Sequence, residues 1–131
     1  MLQNVSENEI AHLFDGFVEA FATFDGTIVG RLFVAPGVAL KRDGTVQGFS
    51  TQQDIATYYQ AALDHYRASG CRSCRYSDLD IRLFNEASAI ATASWDLLRE
   101  DGSTINHWRQ AYFLSRFGGE WRIYGSAFVS G

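Results

Sequence analysis

The chain has 131 residues, of which 47% are hydrophobic and 15% aromatic, and a formal net charge of −4. That length suits one domain with one core, expected over 1–131, and the apolar content excludes an intrinsically disordered polymer. A pI near 5.2 leaves no basic footprint for nucleic acid. No apolar run approaches the ~18 residues of a membrane span, and the opening MLQNVSENEI lacks the basic and apolar regions of a secretory signal. The default expectation is therefore a soluble, cytoplasmic protein with neither a nucleic-acid nor a membrane partner.

Ser6-Glu7-Asn8-Glu9 fits a capping box, and Ile10, Leu13, Phe14, Phe17, Val18 and Phe21 then recur at helical spacing. This predicts an amphipathic first helix with a phenylalanine-rich stripe, ending near Phe24-Asp25-Gly26. Thr27 is placed to cap a short second helix carrying Ile28, Val29, Leu32 and Phe33, stopped by Pro36-Gly37. Two short strands flank Arg42-Asp43-Gly44 and read as a small hairpin. Ser50 or Thr51 caps a third helix whose buried stripe is Ile55, Tyr59, Ala62, Leu63 and Tyr66, with Gly70 at its end. On that stripe Tyr58, Tyr59 and Tyr66 are expected to be packing residues.

After Gly70 the apolar period changes to two. Strands are predicted over 75–84, 87–99, 105–117 and 121–129, turning at Asn85-Glu86, Asp101-Gly102 and Gly118-Gly119. Helices first and a meander last argue an α+β domain, with helices on one face of a curved antiparallel sheet. Cys71 and Cys74 stand in C-x-x-C spacing, but residues three apart on a strand face opposite sides, and no second pair completes a zinc set. No metal site is expected.

The final hairpin is the strongest local signal. Direct pairing across Gly118-Gly119 sets Ser115 beside Arg122, Phe113 beside Tyr124, Ala111 beside Ser126 and Arg109 beside Phe128, all on one face. The other face carries Trp108, Gln110, Tyr112, Leu114, Trp121 and Ile123. Neither face is plainly polar, so both must be covered by helices, a ligand or a partner.

This order of elements resembles the nuclear-transport-factor-2-like superfamily over nearly the whole chain. The local markers are Phe49-Ser50-Thr51-Gln52-Gln53-Asp54-Ile55, Arg99-Glu100-Asp101-Gly102 and Arg116-Phe117-Gly118-Gly119-Glu120-Trp121-Arg122-Ile123. None of these is catalytic; they mark a fold and leave function open. The superfamily also holds ketosteroid isomerases, SnoaL-type cyclases, limonene epoxide hydrolases and scytalone dehydratases. The resemblance implies a cystatin-like cone with an apolar cavity at its open end, lined by Phe17, Arg109, Ala111, Phe113, Ser115, Tyr124, Ser126 and Phe128. It also implies a homodimer through the outer sheet face, here Trp108, Gln110, Tyr112, Leu114 and Trp121.

The departures narrow the chemistry. At the three positions where ketosteroid isomerases carry their base and oxyanion groups, this chain has Lys41, Phe17 and Phe113, so proton abstraction by that route lacks its groups. His12, His65 and His107 do not reproduce a scytalone-dehydratase pattern. The sharpest candidate is Asp96 paired with Arg109 on the inner face, an arrangement similar to part of the limonene epoxide hydrolase site; a carboxylate held by a guanidinium keeps a fixed orientation and a low pKa. Asp96 and Arg109 are thus the candidate catalytic residues, and Phe17, Phe113, Tyr124, Ser126 and Phe128 the candidate ligand pocket. A one-residue slip in the Asp101-Gly102 turn would instead bring Trp95 inside and remove the pair. Two function classes stay open: a protein binding a small apolar or aromatic ligand, with cofactor-free isomerase, cyclase, dehydratase or hydrolase chemistry, and a non-catalytic ligand-binding or association module.

Overall fold

The computed structural model describes residues 2–131, with side chains from Asn4 onward. In chain order the elements are α1 (Leu2–Phe21), α2 (Gly26–Gly30), β1 (Phe33–Leu40), β2 (Val46–Phe49), α3 (Gln52–Ala68), β3 (Ser73–Asn85), β4 (Ser88–Leu98), β5 (Thr104–Phe117) and β6 (Glu120–Ser130). The strands form one sheet in the order β2-β1-β6-β5-β4-β3, so the hairpin β1-β2 and the meander β3 to β6 belong to the same surface. The sheet is curved and unclosed, and the helices sit on its concave side, as an α+β cone requires. One neighbour pair is parallel, β1 with β6. The chain crosses through α3 to the far edge and returns strand by strand, so β6 arrives beside β1 pointing the same way.

The apolar stripe of α1 behaves as its spacing demands. Ile10, Phe14, Phe17, Ala20 and Phe21 are buried, and Phe14 packs within ring-centroid distances of 5.3 Å of Tyr112, 5.8 Å of Tyr76 and 6.1 Å of Trp95. The helix begins at Leu2, upstream of the expected capping box, and Ser6 is buried inside it. Nothing in the preceding residues breaks a helix, so it runs on through the box.

The second helix is shorter than its apolar spacing suggests. Asp25, not Thr27, caps it, accepting from the backbone N–H groups of Thr27 and Ile28. It ends at Gly30, and Phe33 already belongs to β1. Pro36-Gly37 lies inside that strand, where its register against β6 jumps between Phe33 and Val38. Two glutamines of α3 clasp α2 at both ends. The Gln60 side chain accepts from the Gly26 N–H at 2.7 Å and donates to the Phe24 carbonyl at 3.1 Å. The Gln52 amide donates to the carbonyls of Gly30 at 2.6 Å and Phe33 at 3.2 Å. A capping box of Thr51 and Asp54 starts α3, and Gly70 takes φ of +99° just past its end.

Bulges decide which residues face inward. β5 and β6 pair as expected at Ser115 and Arg122, but Leu114 then pairs with Ile123 and Phe113 with Gly125, leaving Tyr124 as an extra residue. Beyond it Tyr112 opposes Ser126 and Gln110 opposes Phe128. Between β4 and β5 the register steps at Ile105, so Asp96 opposes His107, Trp95 opposes Trp108 and Ser94 opposes Arg109. The inner face is Trp108, Gln110, Tyr112, Leu114, Trp121 and Ile123, the reverse of the expected orientation, and the bulge at Tyr124 adds Ser126 and Phe128 to it. The physical reason is apolar area. Burying Tyr112, Leu114, Trp121 and Ile123, all now buried, is worth about 1.5–3 kcal/mol per large side chain. The alternative face offers on β5 only Phe113 and, at the strand's very end, Phe117 as large apolar groups beyond the irregularity at Ile105, and would bury the Arg109 cation, which is costly without a partner.

Candidate functional site

Between α3, α1 and the inner sheet face lies a cavity of about 310 Å³. Phe17 and Phe21 come from α1, and Tyr58, Tyr59, Ala62 and Tyr66 from α3. The sheet supplies Ala39, Cys74, Trp95, Leu97, Trp108, Gln110, Tyr112, Ser126 and Phe128. Of the residues expected from the sequence, Phe17, Ser126 and Phe128 line this cavity.

The other four candidate residues lie across the sheet, as do Ala111 and Ser115, which were also expected inside. Asp96 and Arg109 share a face, but it is the outer one, and they do not pair. Asp96 accepts from Arg75 Nε at 2.9 Å and from His107 Nδ1 at 2.5 Å. Hydrogen bonding to His107, and then to Arg75, holds its carboxyl below the usual carboxylate range. Arg109 donates instead to Ser94 Oγ at 3.0 Å. Phe113 lies against Tyr124, centroids 6.0 Å apart, on the same outer side. Gly125 makes room for that contact: a Cβ there would lie 2.9 Å from the Phe113 ring. The expected inner pair is thus corrected by the reversal of the sheet faces and by a register that sets Asp96 opposite His107, two residues from Arg109; Tyr124 keeps to the side of Phe113, and that side is the outer one. The expected interface residues Trp108, Gln110, Tyr112, Leu114 and Trp121 are likewise inside the fold.

What the sequence reading undervalued are the tyrosines. Tyr58, Tyr59 and Tyr66 occupy a helical stripe, which reads as packing; the signal that they do more is the hydroxyl that each brings to a face otherwise apolar. Burial pushes the Tyr59 phenol far up, the hydroxyls of Tyr58 and Tyr66 add to the effect, and a hydrogen bond with Ser126 opposes it. Burial also pushes Tyr112 well above its usual range, with Tyr59 reinforcing and the Trp95 indole opposing. Cys74 rises to about 12 through burial and then through Cys71. All these groups stay protonated at neutral pH and act as neutral hydrogen-bonding groups. Both cysteines are buried free thiols.

Trp95 is 2% exposed, and its Nε1 is buried without a well-formed hydrogen bond. An unsatisfied buried donor costs about 1–3 kcal/mol. At the rim stand two cations: Lys41 Nζ lies 5.5 Å from the Tyr58 ring centre, and the Arg42 guanidinium 4.4 Å from that of Phe128. Asp43 beside them accepts from the Thr45 N–H at 2.9 Å and also faces Lys41. Among the described residues, the cavity wall carries neither carboxylate nor imidazole, and no cluster of three or more His, Cys, Asp or Glu is set to hold a metal ion. Among those same residues no helix is long and apolar enough to cross a membrane.

A curved sheet wrapped on three helices around a tyrosine-lined hollow defines an NTF2-like protein. Residues 7–130 match the family described as NTF2-like protein (DUF6841), and the chain belongs to that family. No curated protein matches the sequence. Among solved structures, a protein of unknown function with a cystatin-like fold from Nostoc punctiforme PCC 73102 is 18% identical with a TM-score of 0.78, over 97% of this chain and 92% of that one. A candidate scytalone dehydratase from Novosphingobium aromaticivorans DSM 12444 is 10% identical with a TM-score of 0.76, over 99% and 87%. A candidate calcium/calmodulin dependent protein kinase II association domain from Xanthomonas campestris is 22% identical with a TM-score of 0.68, over 92% and 86%. At these identities the likeness is one of fold.

Proposed function

We propose that the protein binds a small apolar or aromatic molecule in the cavity beneath α3. The observation that carries this reading is a hollow of about 310 Å³ with aromatic walls and a few inward polar groups, which is the usual make-up of a small-molecule site. A wall without carboxylate or imidazole supplies no ordinary general base, so binding is favoured over proton-abstraction chemistry, and the reading invokes no cofactor. Asp96 and Arg109 do not enter it, because their side chains lie across the sheet from the cavity.

The test is a calorimetric and thermal-shift titration with neutral bicyclic aromatics, using Ala62→Phe as the blocked control. Ala62 lines the cavity, so a phenyl group there fills it. Wild type is expected to bind and to gain melting temperature with ligand, while the variant folds and shows no gain. Binding unchanged in Ala62→Phe moves the site elsewhere and ends this reading. The outer sheet face, where Ile90, Ala111, Phe113 and Tyr124 are gathered, is proposed as a self-association surface, to be checked by sedimentation of wild type against Phe113→Glu.

A further inference from the structure

Resting on that binding site, we infer that its ligand is an aromatic carbonyl compound, whose oxygen is seated at the buried end on the Trp95 indole N–H and the Tyr112 hydroxyl. Three observations converge. Trp95 is the one described residue with a buried side-chain nitrogen or oxygen lacking a well-formed hydrogen bond, and it lines the cavity. An indole N–H donates and never accepts, so only an acceptor can satisfy it. The Tyr112 hydroxyl is its polar neighbour, near enough for a poorly aligned hydrogen bond from the indole, and it too lines the cavity.

Phe17 closes the third side. Its ring centre stands 5.1 Å from that of Trp95 and 6.3 Å from that of Tyr112, so the donors sit in an aromatic, water-poor recess. In such a recess a hydrogen bond is stronger than in water, and an unmade one is more costly. If the Tyr112 oxygen takes the indole proton when the cavity is empty, its own O–H still points onward and still needs an acceptor. Either arrangement selects a carbonyl oxygen over a hydrocarbon of equal shape.

The probes are 1-tetralone and tetralin, which share a bicyclic frame and differ by one carbonyl oxygen. Titrations followed by proton–nitrogen correlation NMR give both affinities and report the Trp95 indole resonance, assigned by its loss in Trp95→Phe. Wild type is expected to hold tetralone roughly fivefold or more tighter than tetralin, the worth of one made hydrogen bond. The Trp95 N–H signal should move downfield with tetralone alone. Tyr112→Phe, which leaves the Trp95 donor in place, should narrow the preference without abolishing it, and Asp96→Asn, across the sheet from the cavity, should keep it whole. Tyr112→Phe retains the ring, so the test stands even where Trp95→Phe fails to fold. Equal affinity for both ligands in wild type overturns the carbonyl assignment and leaves the cavity reading intact. Failure of both ligands to bind wild type overturns the two together.

Discussion

Gly26 and Gly16 both lie in helices, yet the same substitution should have opposite effects on them. An added Cβ on Gly26 would sit 2.4 Å from the Ala56 carbonyl oxygen, 2.7 Å from the Gln60 nitrogen and 2.8 Å from the Gln60 Cβ. Ordinary contact begins near 3.4 Å, so α2 and α3 must separate by about 1 Å against backbone that cannot fold away. Overpacking of this kind costs about 1–3 kcal/mol or more, while loss of glycine's freedom in the unfolded chain returns only about 0.4–1 kcal/mol. The net expectation for Gly26→Ala is a loss of about 1–2 kcal/mol, or roughly 3–10 °C in melting temperature for a domain of this size. A Cβ on Gly16 meets nothing within 4 Å, so Gly16→Ala should gain about 0.5–1 kcal/mol from helix propensity. Thermal and urea unfolding followed by circular dichroism measures both. Gly26→Ala melting at or above wild type would refute the close approach of α2 and α3.

Gln60→Ala strands the Gly26 N–H and the Phe24 carbonyl, and urea unfolding should show a loss of about 1–3 kcal/mol; an unchanged midpoint means that water replaces the clasp at no cost. Thr51→Ala removes the α3 cap and should cost about 1 kcal/mol by the same assay, with no change arguing that Asp54 alone suffices. Because the folded Asp96 carboxyl titrates below its usual value of 3.8, the unfolded chain binds the proton more readily. The stability that Asp96 contributes is therefore fully present above that value and is lost as pH falls through the lower folded pKa. Urea unfolding at pH 6 and at pH 3 should show a larger acid loss for wild type than for Asp96→Asn, and equal losses would deny the Arg75 and His107 contacts an ionic role. Cys74, with its thiol raised to about 12, should resist iodoacetamide at pH 8 until the protein is unfolded, as read by mass spectrometry; rapid native labelling would mean that the cavity opens to solvent.

The helices, the meander and the cone were legible because each rests on a local periodicity: the Phe14–Phe17–Phe21 stripe on α1, the alternation after Gly70, the turns at Asp101-Gly102 and Gly118-Gly119. The lining of the cavity was legible only in part, because a strand's two faces are distinguished by parity. The single extra residue at Tyr124 changes that parity along β6, and the register between β4 and β5 sits two residues from the expected pairing. No residue type at Tyr124 announces a bulge, as a glycine in a tight turn announces itself. Area was the better guide: Trp108, Tyr112 and Leu114 outweigh Arg109, Ala111 and Phe113 as a surface to hide. The helical tyrosines were visible but ambiguous, since a phenol on an apolar stripe serves packing and recognition equally until its hydroxyl is seen to face a hollow.

The surplus residue at Tyr124 works like a frameshift written into a strand. Upstream of it, Trp121 and Ile123 count inward on odd numbers; downstream, Ser126 and Phe128 count inward on even ones. A relative that gains or loses one amino acid at this point exchanges lumen for exterior along the rest of β6 while keeping the same backbone path. Site assignments carried between distant members column by column therefore invert beyond Ile123 wherever the bulge is not counted.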